Sequence, residues 1–447
     1  MASECLTGKA RDPQQPAPGI YKHDRSPMMQ VQQAQAFDNR HASADLPTIS
    51  QRELIGQPVE MLDTPCLVVN EEVLQANIQA LQTFISGLGL KLRPHAKSHK
   101  CPDLARHQLA AGAVGICCQK VSEAEAFAAQ GIGDILIANE VVGSAKLQRL
   151  VRLHRRCIDL NGQLIVCVDS LEAAARMNQA LEQAADDQGI AKAKAKTETI
   201  APLSIYLEIN VGQNRCGIAP GRAAADLAKA IEEQMPRLCL IGLQAYHGAA
   251  QHMRTVEQRA AVVEEVCNKV RQTLQAFEAQ GLKRPEVISG GGSGSVGLDA
   301  RTGLFTELQA GSYVFMDVDY MRNQWDSTMD LNFSQSLFVL TTVMSQTSSD
   351  RAVVDAGLKA LSVDSGLPEL KDAPGLIYEK ANDEHGLIQC RHSEHDPALE
   401  PESLLGKKLL LIPGHCDPTV NLYDELVVVR EGQVVNTWPV LARGRLF

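Results

Sequence analysis

The chain has 447 residues, 45% hydrophobic and 21% charged, a balance that suits a globular protein with a large core and room for two domains. Its net charge of −10 argues against a nucleic-acid or acidic-membrane partner, because no basic surface is broad enough to neutralise a phosphate backbone. No apolar run approaches the roughly 18 residues of a membrane span, and the 12 cysteines form neither a CxxC pair nor a disulfide-like framework, so a reducing, cytoplasmic setting is expected.

In chain order, residues 1–57 read as a flexible N-terminal extension. The first 45 carry Pro, Gln, His and mixed charges, with neither an apolar signal core nor a sustained Arg-rich amphipathic pattern. An organelle-targeting role for this stretch stays open. An apolar segment at 64–69 is expected to pair with a later β domain. From about residue 89 to 313, short apolar runs alternate with longer helical patterns. Strands are predicted at 90–93, 115–118, 134–138, 163–169, 203–210, 240–246, 286–289 and 307–310. Helices are predicted between them at 100–111, 122–129, 145–153, 171–188, 222–234 and 254–280. Near-continuous apolar strands separated by helices signal a parallel sheet covered on both faces. Eight such units make an α/β fold, a (β/α)8 TIM-type barrel, in preference to an open doubly wound sheet. The Ala/Lys-rich stretch 186–199 reads as a solvated insertion. After about 325 the pattern changes to strands at 334–345, 350–354, 409–412 and 425–430. The chain therefore divides into a barrel over 58–325 and a β-rich domain over 326–447.

Chemistry gathers where strands end. The first barrel strand runs into Arg93-Pro94-His95-Ala96-Lys97-Ser98-His99-Lys100. A lysine desolvated among other cations has a lowered pKa and an available neutral amine, which imine formation needs. A solvated basic turn is the plain alternative. The seventh strand ends in Ser289-Gly290-Gly291-Gly292-Ser293-Gly294-Ser295, whose successive N–H groups can cradle a phosphate, and the eighth ends in Gly311-Ser312-Tyr313. A reactive lysine and an anion cradle on one rim are what pyridoxal 5'-phosphate requires. Asn210, Gln213, Asn214 and Arg215 follow the fifth strand, and Tyr246, His247 and His252 the sixth, all available to hold a ring or move protons. In Pro413-Gly414-His415-Cys416-Asp417-Pro418, strand alternation would point His415 and Asp417 the same way, as a nitrogen–oxygen pair for a divalent cation. Spacing alone favours a blander reading, a turn with a capping Asp and a buried Cys.

These motifs, together with Gly212-Gln213-Asn214-Arg215-Cys216-Gly217 and Tyr246-His247-Gly248, resemble in order those of metal-activated D-threonine aldolases and their relatives, the eukaryotic-type D-serine dehydratases. The resemblance covers about residues 58 to 447. It implies the alanine-racemase-like fold, fold type III of pyridoxal phosphate enzymes, and a homodimer. It also implies a carbon–carbon lyase that cleaves D-threonine and related D-β-hydroxy-α-amino acids to glycine and an aldehyde. By the same resemblance Lys97 is the Schiff-base lysine and His252 the histidine beside the substrate hydroxyl. Arg215 and Tyr246 lie against the cofactor ring, and Gly291, Gly292, Ser293 and Tyr313 serve the phosphate. His415 and Asp417 hold the cation, manganese, magnesium or cobalt in preference to zinc. The dehydratase relatives carry His-x-Cys where this chain has His-x-Asp. A D-serine or D-3-hydroxyaspartate dehydratase is the alternative activity, and a non-catalytic pyridoxal phosphate carrier a more remote one.

Overall fold

A computed structural model describes residues 50–191, 201–329, 331–390 and 403–447. The expectations for the N-terminal extension up to residue 49, and for 192–199 of the Ala/Lys-rich stretch, lie outside the described residues. The chain enters through β1 (Cys66–Asn70) and α1 (Glu71–Gly87), the helix capped by the Asn70 side chain, which accepts from the Val73 N–H.

Eight strand–helix units follow. They comprise β2 (Lys91–Leu92), α2 (Pro102–Ala111), β3 (Ile116–Cys118), α3 (Val121–Ala129), β4 (Ile135–Glu140), α4 (Ser144–Asp159), β5 (Leu164–Val168) and α5 (Leu171–Ala191). The second half comprises β6 (Leu203–Glu208), α6 (Arg222–Gln234), β7 (Leu238–Ala245), α7 (Val256–Ala279), β8 (Val287–Gly290), α8 (Val296–Ala300), β9 (Glu307–Leu308) and the short α9 (Val318–Met321). The strands pair in parallel in the order β2-β9-β8-β7-β6-β5-β4-β3. A parallel bridge between His95 and Cys117 joins the two ends of that order, which closes the barrel.

All five residues of β5 are buried, because alternate side chains face two dry surfaces. Ile165 and Cys167 pack inside the barrel with Cys117, Leu136 and Tyr206. Leu164, Val166 and Val168 join the larger core outside it. A buried polar layer crosses the interior. Arg93 donates to Glu307 at 2.9 Å, and Glu307 also accepts from Tyr206 and Ser289. Arg93 of the basic motif is therefore a structural ion-pair partner.

Helix α2 starts two residues later than the apolar pattern predicts. Lys100 has φ +50° and cannot continue a right-handed helix, and Pro102 supplies the preset φ of a first turn. Helix α4 runs six residues beyond the predicted end, because His154 and Cys157 prolong its buried face.

The second sheet holds β10 (Leu337–Ser348), β11 (Arg351–Val354), β12 (Glu369–Leu370), β13 (Leu376–Ala381), β14 (Gly386–Cys390), β15 (Lys408–Ile412), β16 (Glu425–Arg430) and β17 (Gln433–Pro439). The five-residue α10 (Cys416–Val420) lies between β15 and β16. β1 sits inside this sheet, antiparallel to β10 and parallel to β16, although it precedes the whole barrel in sequence. Among the described residues, the strand before the barrel and the strands after it thus share one sheet.

Candidate active site

Lys97 lies in a single 3-10 turn, Ala96–Ser98, directly after β2. Its side chain is 40% exposed, and Nζ lies 3.8 Å from Asp417 Oδ2. The expected depression of its pKa is corrected. Burial is the largest influence and, with Arg215, pushes it down, but Asp417, Tyr246 and Cys117 together outweigh them and the amine's pKa is raised. His95, buried beside Lys97, His99 and Lys100, is held well below the usual imidazole range, first by burial and then by those cations. Lys100 is no part of the reactive cluster, since its ammonium pairs with the buried Glu123.

The glycine loop after β8 is buried. Gly291 has φ +70°, where an L side chain would be strained, and a Cβ on Gly292 would come within 2.6 Å of the Gln251 carboxamide. Gln251 organises this loop, accepting from Gly294 N–H at 2.9 Å and donating to Ser295 Oγ at 2.8 Å. Among the described residues, the N–H groups of Gly291, Gly292 and Ser293 meet no protein acceptor. Buried donors without a partner are rare, and three in succession suit an anion. The Tyr313 phenol is fully buried and accepts from Gln108 at 3.2 Å, and its N–H donates to Ser293 Oγ of the loop.

Across the rim, the Arg215 guanidinium lies over the Tyr246 ring at 5.8 Å. Asn210, Gln213 and His247 hold loops: Asn210 accepts from Gly212 and Asn214, Gln213 from Gly248, and His247 from Ala250. Beside Arg215, the side chains of Glu140, Glu208 and Cys216 bring ligand-type atoms within 4.8 Å of one another. Two carboxyls this close cannot both ionise cheaply. Burial first, then Glu140, raises the Glu208 carboxyl to about 8.

His252 is half exposed, and its Nδ1 lies 2.5 Å from Asp319 Oδ2. Burial would raise the Asp319 carboxyl, but hydrogen bonds from His252 and Arg254 hold it at about 2. An ionised Asp319 can only accept, so Nδ1 of the neutral ring carries the proton and Nε2 presents its lone pair outward.

His415 and Asp417 lie on one rim with Lys97, but strand alternation is not the reason. His415 is extended, with φ −145° and ψ 121°, and α10 starts at the next residue, so Asp417 stands in the first turn of a helix. Pro418 at the third helical position and the capping geometry interrupt the strand that the apolar run of β15 suggested. Cys416 turns into the core, where its N–H donates to Asp317 Oδ2 at 2.9 Å. Asp417 Oδ1 accepts from Ser312 Oγ at 3.1 Å, which leaves Oδ2 facing Lys97. His415 Nδ1 bonds Asp364 Oδ2 at 2.8 Å. Burial, the largest influence, works against a charged ring, yet Asp417, Asp364 and Asp317 together prevail and raise the His415 pKa.

These residues fit both groups that the motifs imply. Unpartnered buried N–H donors and an amine share the rim as a pyridoxal phosphate needs, and one imidazole nitrogen with one carboxylate oxygen remains for a divalent cation. Sequence reasoning missed Gln251, Asp319, Asp364 and the Glu140–Glu208 pair.

The alanine racemase N-terminal domain model matches residues 69–319, and the serine dehydratase domain model matches 336–429. A D-threonine aldolase of Arthrobacter sp is 43% identical over 87% of this chain and 95% of its own length. A 3-hydroxy-D-aspartate aldolase of Paracoccus denitrificans is 40% identical over 92% of this chain and 98% of its own. The crystal structure of D-threonine aldolase from Filomicrobium marinum superposes with a TM-score of 0.78 at 41% identity, covering 87% of this chain and 98% of that one. A D-threo-3-hydroxyaspartate dehydratase of Delftia sp. is more distant, 30% identical over 84% of this chain and 97% of its own.

Proposed function

For a chain that belongs to the D-threonine aldolase family of alanine-racemase-like enzymes, we propose the retro-aldol cleavage of D-threonine and related D-β-hydroxy-α-amino acids to glycine and an aldehyde. The single observation that carries this reading is the 3.8 Å approach of Lys97 Nζ to Asp417 Oδ2, an amine meeting a cation ligand on one rim.

When bound, pyridoxal 5'-phosphate supplies the acceptor for the electron pair of the broken Cα–Cβ bond, and a divalent cation supplies positive charge at the β-oxygen. Lys97 would hold the cofactor by its amine, and the N–H groups of Gly291, Gly292 and Ser293 its phosphate. Arg215 and Tyr246 would flank its ring. His415 Nε2 and Asp417 would hold the cation. His252 Nε2 would take the proton of the β-hydroxyl, with Asp319 keeping the ring in the accepting tautomer.

One imidazole and one carboxylate, with the Cys416 thiol turned into the core, favour manganese, magnesium or cobalt over zinc. Residues 58–325 carry the cofactor in this reading and residues 326–447 the cation pair. We take the assembly to be a homodimer, as the resemblance implies. We place the protein in the cytoplasm, because no cysteine among the described residues is paired in a disulfide.

The test is product identification with D-threonine and protein loaded with pyridoxal phosphate and manganese. Equal amounts of glycine and acetaldehyde are expected. Ammonia with a 2-oxo acid would assign the dehydratase activity instead, and no product of either kind would remove both.

A further inference from the structure

We infer that Asp364 is a positioning residue for the cation site: it fixes the orientation and tautomer of His415 so that Nε2 is the ligand atom. This rests on reading His415 and Asp417 as the cation pair.

Asp364 Oδ2 lies 2.8 Å from His415 Nδ1. The carboxylate is itself held, Oδ1 accepting from Ser362 Oγ at 2.8 Å and Oδ2 from Ser365 Oγ at 3.3 Å. The segment that carries it, between β11 and β12, is fastened to the segment that carries His415. Ser362 N–H donates to Thr419 Oγ1 at 3.2 Å, and Thr419 Oγ1 donates to the His415 carbonyl at 2.8 Å. Tyr423 OH donates to the Ala360 carbonyl at 2.7 Å. Gly414 and Gly366 pack backbone to backbone, so tightly that a Cβ on Gly414 would come within 2.1 Å of the Gly366 oxygen. The ring and its carboxylate are thus held in register from both sides.

Asp364 does not act as a third ligand in this arrangement. The two imidazole nitrogens point in diverging directions, and a cation sits about 2.1 Å from the nitrogen that binds it. A carboxylate bonded to Nδ1 cannot reach an ion on Nε2. Its part is to accept the Nδ1 proton, which leaves the Nε2 lone pair directed at the ion. Outer partners of this kind typically change metal affinity by about 10- to 100-fold.

The experiment measures manganese dissociation constants of pyridoxal-phosphate-loaded, chelator-treated protein, by the electron paramagnetic resonance of free manganese. Asp364→Ala should bind about 10- to 100-fold more weakly, while its kcat at saturating manganese stays near that of the unaltered protein. Asp364→Asn can turn its amide N–H toward Nδ1 and favour the opposite tautomer, so it should also bind more weakly than the unaltered protein. If Asp364→Ala fails to fold by circular dichroism, Ser362→Ala, which removes only the anchoring bond, should bind several-fold more weakly. Unchanged affinity in the variant measured would overturn the inference. His415→Ala separates the two levels. If it abolishes binding, the cation pair stands whatever Asp364 does, and if it binds normally, the pair itself is wrong.

Discussion

Asp319 decides what His252 can do. Its ionised carboxylate, held so by bonds from His252 and Arg254, accepts from Nδ1, and Nε2 is then the base of the proposed proton transfer. Asp319→Asn offers an amide that can donate to Nδ1 and favour the opposite tautomer. The expected outcome is a fall in kcat of about 10²- to 10⁴-fold with little change in KM, measured by steady-state kinetics on D-threonine. Unchanged kcat would remove His252 from the proton transfer. Glu208 titrates in its own way, its carboxyl raised by burial and Glu140 from the usual carboxylate range to about 8. Between about pH 4.5 and 8 the folded state keeps this proton while the unfolded chain releases it. Stability from this group is therefore fully present at low pH and is lost as pH rises toward 8, by at most about 1.4 kcal/mol per pH unit. Glu208→Gln should flatten that decline, as read from urea midpoints across the window, and an unchanged slope would contradict the assignment. Lys97, His415 and Asp417 were legible because their motifs are contiguous and chemically unusual. Asp319 and Asp364 were not. Each is one ordinary carboxylate whose partner stands 67 and 51 positions away, and no local pattern marks such a pairing.

At the scale of elements, the eight barrel strands stood out because strands dry on both faces leave near-continuous apolar runs, as β5 does. The hairpin of β13 and β14 and the edge strand β17 escaped notice. β13 exposes Glu379 and Lys380, and β17 mixes Gln433, Asn436 and Pro439 among its apolar residues, so neither carries a clean alternation. The alternation drawn through His415 and Asp417 failed for a related reason. The strand period was extended past Ile412 into a segment that turns and caps a helix. His415 and Asp417 share the rim through the start of α10 and not through strand alternation. The backbone contact between Gly414 and Gly366 supplies the prediction at this scale. Gly414→Ala has no room for its methyl and must part the two segments. It should cost about 1–3 kcal/mol, seen as a lowered thermal midpoint, and should weaken manganese binding as well. Wild-type binding in a destabilised protein would show that the cation pair does not depend on this contact.

At the scale of the whole molecule, the fold works by returning. β1 enters the second sheet before the barrel begins, and β10 and β16 receive it after the barrel ends. That return brings Asp417 to Lys97, 320 positions earlier in the numbering, a separation that no linear pattern discloses. The described residues hold a rival gathering of ligand-type atoms, Glu140, Glu208 and Cys216, on the same barrel near Arg215. The measurement that decides between them is anomalous diffraction from crystals loaded with pyridoxal phosphate and manganese. One strong peak is expected about 2.0–2.2 Å from His415 Nε2 and an Asp417 oxygen, on the side that faces Lys97. A peak among Glu140, Glu208 and Cys216, with none at His415, would contradict this placement.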